Sequence, residues 1–76
     1  MKELIICMAK ALVDHPDKVA VFEVNGGHTS IFELKVAKED LVKVIGKKGE
    51  TAKAMRTIVS AASSKVRKKS FLEIIE

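Results

Sequence analysis

A chain of 76 residues, 47% of them hydrophobic, is long enough for one small domain over residues 1–76 and too apolar for disorder. Its only cysteine, Cys7, excludes an intrachain disulfide, and no apolar run approaches the ~18 residues of a membrane span. The net charge of +4 is unevenly placed: residues 38–69 hold ten Lys and Arg against three Asp and Glu, while the segments on either side are slightly acidic. Such a local surplus is the footprint of a polyanionic partner at one place, rather than of a uniformly basic surface.

Residues 2–13 are predicted to form the first helix, with Leu4, Ile5, Met8, Ala11 and Leu12 on one face and Lys2, Glu3 and Lys10 polar. Cys7 falls within that apolar run and reads as a small buried hydrophobe. The run is broken by Lys10 and carries no cleavage site, so it is not a signal peptide, and a cytoplasmic location is expected. Pro16 disfavours helix at His15; the helix therefore ends near Asp14, and Asp14-His15-Pro16-Asp17 is a turn. Lys18–Val24 is rich in strand formers, and Asn25-Gly26-Gly27-His28 signals a hairpin. The next strand, from about Thr29 to Val36, alternates Phe32, Leu34 and Val36 with polar residues, so one side is buried.

Lys38 to Ile45 is a short predicted helix, with Leu41, Val44 and Ile45 inward, Glu39 and Asp40 in its first turn and Lys43 near its last, as the helix dipole favours. The following stretch, Gly46-Lys47-Lys48-Gly49, is a turn into a second helix. Gly46 can take the positive φ that ends a helix, and Gly49 leaves the backbone bare where the next one starts. A helix start carries free N–H groups and partial positive charge, so a phosphate can approach the backbone while Lys47 and Lys48 neutralise it. The second helix runs from Glu50 to about Val66, with Met55, Val59, Ala62 and Val66 toward the sheet. Ala54, Ile58 and Ala61 form a neighbouring apolar stripe, which is either core or the contact of a dimer. A last strand, Phe71–Ile75, points Leu72 and Ile74 inward. The order αββααβ makes an α+β domain: an antiparallel hairpin, a right-handed two-helix crossover to a parallel third strand, and all helices on one face of a three-stranded mixed sheet.

Val44-Ile45-Gly46-Lys47-Lys48-Gly49, followed by Thr51-Ala52-Lys53-Ala54-Met55-Arg56, resembles the signature loop of KH domains, which clamps about four backbone nucleotides of single-stranded RNA. From Val-Asp-His-Pro-Asp near the start to Leu-Glu-Ile-Ile near the end, the chain is similar to small bacterial single-KH-domain proteins of the KhpA type. The resemblance implies a type II KH fold and a role as an RNA chaperone or post-transcriptional regulator, in some cases paired with a larger protein that carries its own KH-type domain. The chain departs from many such relatives at Arg67, where they have glycine.

The expected groove places Lys47, Lys48, Thr51 and the N–H groups after Gly49 on the RNA backbone, with Val44, Ile45 and Ala52 as an apolar floor and Lys43, Lys53 and Arg56 as a basic rim. The chain has no Tyr or Trp, which argues against base stacking on aromatics. There is no nucleophile–base pair and no metal-ligand spacing, so neither an enzyme nor a cofactor is expected. Gly-Lys-Lys-Gly also lacks the spacing and the Lys-Ser/Thr ending of a P-loop. The competing reading is a KH-fold protein-interaction module with little RNA binding. Single-stranded DNA is a second ligand compatible with the same groove.

Overall fold

A computed structural model of the chain describes residues 1–65 and 67–75. Six elements follow in the expected order: α1 (Lys2–Leu12), β1 (Ala20–Gly26), β2 (Thr29–Lys35), α2 (Leu41–Ile45), α3 (Glu50–Ser64) and β3 (Lys69–Ile75). The sheet order is β1-β2-β3, with β1 antiparallel and β3 parallel to the central β2. This is the αββααβ arrangement of a type II KH fold. Gly27, with φ of 69°, makes the tight turn of the hairpin, where Gly26 pairs with Thr29.

The register sorts the sheet into two faces. Val21, Leu34 and Ile74 lie in one row and Phe32 and Leu72 in the next, and all point at the helices. Ile5, Ala9, Val44, Met55 and Val59 close over them to make the core. Ser30 belongs to the same face, and its buried hydroxyl donates to Asn25 Oδ1 at 2.6 Å, so no polar group is stranded there. The opposite face leaves Phe22, Val24 and Phe71 exposed.

Four expectations are corrected. In α1 the buried stripe is Ile5 and Ala9, with Met1, Ile6, Met8 and Val13 packed beside them; Leu4, Ala11 and Leu12 are exposed, and so is Cys7. The run from Leu4 to Ala9 is apolar nearly all round, so periodicity alone does not choose a stripe, and packing on the sheet does. Ile45, expected inward, is 41% exposed at the end of α2. That helix also begins three residues late, because Lys38–Asp40 forms a 3₁₀ turn.

Asp40 stands at the junction between the 3₁₀ turn and α2. Its buried carboxylate does not cap its own helix; it accepts the backbone N–H groups of Asp14 at 3.2 Å and His15 at 2.9 Å. The five-residue α2 is too short to stand alone, and this bond ties its start to the turn after α1. The Pro16–Lys18 turn likewise delays β1 to Ala20. At the far end α3 stops at Ser64, and Val66, expected to close it, lies outside the described residues.

Candidate nucleic-acid interface

The turn between α2 and α3 is built from three residues with positive φ. Gly46 has φ 77° and ψ 174°, a region that essentially only glycine enters. A Cβ there would lie 2.1 Å from Thr51 Oγ1 and 2.9 Å from the Thr51 backbone nitrogen. Thr51 therefore packs into the space that Gly46 leaves. Lys48 is left-handed (φ 57°), as is Gly49 (φ 74°), but a Cβ on Gly49 would meet nothing within 4 Å. The chain thus holds a lysine in a conformation that costs about 1 kcal/mol at the tip of the turn.

Lys47 and Lys48 are exposed, and neither has an ion-pair partner among the described residues. No side chain caps the start of α3. Two unpaired ammonium groups and an uncapped helix start thus converge on one turn, an arrangement suited to an anion.

The KhpA/KhpB KH-domain model matches residues 2–74, nearly the whole chain. The chain belongs to this family. It is 55% identical over 75 residues to the RNA-binding protein KhpA of Caldanaerobacter subterraneus, covering 99% of this chain and 100% of that one. It is 50% identical over 76 residues to that of Halalkalibacterium halodurans, covering 100% of both chains. Among solved structures it resembles Aquifex aeolicus Era bound to GDP and aluminium fluoride, with a TM-score of 0.64 and 22% identity over 96% of this chain and 28% of that one. A second likeness, at TM-score 0.58 and 23% identity with the same coverage, is to Era in complex with a nucleotide and a segment of 16S ribosomal RNA. At these identities the two structures attest the KH fold alone. The KhpA/KhpB family is one of KH domains, not a class of enzymes.

Within this KH framework the expected site residues divide. Ile45, Lys53 and Arg56 join the turn on the exposed side. Val44 and Ala52 do not form an open floor: both are buried, and Val42 and Ile45 present the apolar surface of α2 beside the turn. Lys43 is drawn away to the turn after α1, where its ammonium pairs with the Asp14 carboxylate. That hydrogen bond holds Asp14 below the usual carboxylate range and raises Lys43 above its ordinary value. Lys43 thus serves the α1–α2 junction more directly than the rim. Arg56 donates from Nε to the Leu72 carbonyl at 3.1 Å, which fastens α3 to the edge strand β3 and fixes the guanidinium along their seam.

Ala54, Ile58 and Ala61 all lie exposed on α3, so Ile58, at 46% exposure, is not ordinary core. At the C-terminal end of α3, Arg67 N–H donates to the Ser64 carbonyl and Lys68 N–H to the Ser63 carbonyl. This pair of bonds is the Schellman closure, whose left-handed position usually takes glycine. Here Arg67 occupies it with φ of 54°. Sequence reasoning did not anticipate two features. Asp40 reads as a first-turn helix acid, and nothing in the sequence shows that it reaches Asp14 and His15. The groove between the end of α3 and the start of β3 is likewise invisible until both elements are placed.

Proposed function

We propose that this chain binds single-stranded RNA, gripping the sugar–phosphate backbone with the Gly46-Lys47-Lys48-Gly49 turn. The observation that carries the reading is the pair of unpartnered lysines at an exposed, glycine-bounded turn against an uncapped helix start. Phosphates lie against Lys47 and Lys48 at the start of α3; Thr51 supports Gly46 from behind; Ile45 offers a small apolar surface to a base; Lys53 and Arg56 extend the positive rim. Membership of a family whose relatives are named RNA-binding proteins supports the same reading.

The cellular role that fits is that of an RNA chaperone or post-transcriptional regulator acting in the cytoplasm as a single KH domain. The exposed stripe of Ala54, Ile58 and Ala61 favours self-association, or pairing with a larger KH-type RNA-binding protein, through α3. Association leaves the clamp free, because the stripe lies on α3 and the glycine turn precedes that helix.

Filter binding over a salt series tests the reading. Single-stranded RNA should bind more tightly than duplex, and the log–log salt slope should be about −0.7 per phosphate neutralised. A flat salt response, or a preference for duplex, would remove the groove.

A further inference from the structure

We propose that a strand held at the glycine turn continues along the seam between α3 and β3 and is gripped a second time at the far end of α3. There Arg67 and Lys69 meet its phosphates and Phe71 lies under a base. This rests on the RNA reading above and assigns a second contact to it. The two ends of the path are well separated: α3 has 15 residues, which at 1.5 Å each makes about 22 Å.

Four observations converge on the far end. A groove of about 580 Å³ lies there, lined by Ser60, Ser64, Arg67, Lys69, Ser70 and Phe71 among others. Two adjoining depressions share Ser60 with it and reach back along α3 toward the clamp as far as Arg56 and Lys53. Neither Arg67 nor Lys69 has a carboxylate partner among the described residues, whereas the Lys68 ammonium is already given to Asn25 Oδ1 at 2.9 Å. Phe71, on the outer face of the edge strand, borders the groove at 53% exposure and offers a flat face at its lip of the kind on which unpaired bases stack.

The decisive feature is Arg67 itself. It occupies the left-handed position of the helix closure with φ of 54°, where glycine would sit without strain. Cations that only complement the dipole at the end of α3 are already supplied by Lys65 and Lys68, neither of which takes a left-handed backbone. A strained residue in an otherwise ordinary closure signals a side chain kept for use. Glu73 lines the neighbouring depression and repels phosphate, so the backbone of the strand runs on the α3 side of the seam.

The test compares a tetranucleotide, the length of the KH clamp, with a single-stranded RNA about three times as long, by fluorescence anisotropy at one salt concentration. Wild type should bind the longer strand more tightly. Arg67→Gly should weaken the longer strand about tenfold, the effect of one charge-assisted hydrogen bond, and leave the tetranucleotide unchanged. The same substitution should raise the melting temperature, because the strain is gone. Phe71→Ser should weaken the longer strand alone. Equal losses on both lengths would overturn the proposal. So would a stabilised Arg67→Gly protein with unchanged affinity for the longer strand, which would make Arg67 a helix closure and nothing more. A wild type that binds neither strand would instead refute the clamp, and the second contact with it.

Discussion

Replacing Gly46 by alanine should damage the protein far more than the same change at Gly49, although the two glycines bracket the same turn. At Gly46 two penalties add. The backbone at φ 77° and ψ 174° lies where a residue with a Cβ is strained by about 2 kcal/mol. The new Cβ also falls 2.1 Å from Thr51 Oγ1 and 2.9 Å from the Thr51 nitrogen, and the second of these is backbone that cannot swing aside. With the shift this forces on the start of α3, the loss should reach about 3 kcal/mol. At Gly49 the added Cβ meets nothing within 4 Å, so only the left-handed backbone cost of about 1 kcal/mol remains. For a chain of this size these losses correspond to roughly 15 °C and 5 °C in melting temperature. Urea denaturation followed by circular dichroism gives both values. A Gly46→Ala, Thr51→Ala double variant should recover only part of the loss, because it removes Oγ1 but keeps the Cβ of residue 51, 2.5 Å from the added Cβ, and the backbone contact. Equal destabilisation at the two glycines, or full recovery in the double variant, would refute this account of the turn.

Asp40→Ala strands two backbone N–H groups, those of Asp14 and His15, and should cost about 2–3 kcal/mol by urea denaturation; a loss under about 0.5 kcal/mol would show that the junction does not depend on it. Ile58→Glu lies on exposed surface and should leave the melting temperature within a few degrees of wild type while lowering the mass measured by sedimentation. A wild type that is monomeric at high concentration contradicts the association surface.

Most of the fold was legible because its signals are local. The alternation of Phe32, Leu34 and Val36 placed the central strand, Asn25 to His28 placed the hairpin, and the crossover rule then set β3 parallel to β2. The turn was legible for a related reason: glycines bracketing lysines between two helical patterns mean one thing locally. Where reading failed, the deciding contacts span many residues. The apolar run of α1 fits several stripes, and only the sheet selects Ile5 and Ala9. Lys43 reads as groove cation until Asp14, 29 positions away, takes its ammonium. Val44 and Ala52 read as groove floor, but both pack into the core, and the short α2 leaves Val42 and Ile45 open instead.

The measurement closest to the central claim changes Lys47 and Lys48 together to Asp and follows binding of single-stranded RNA. Both residues are exposed and unpaired among the described residues, so the double variant should keep the wild-type circular dichroism spectrum and nearly the same melting temperature. Its control is Lys2 and Lys10 changed to Asp on the exposed side of α1, an identical change in net charge away from the turn. If the Gly46–Gly49 turn is the clamp, RNA binding is lost in the first variant and retained in the second. Equal losses in the two would show that binding follows net charge, and would contradict the site.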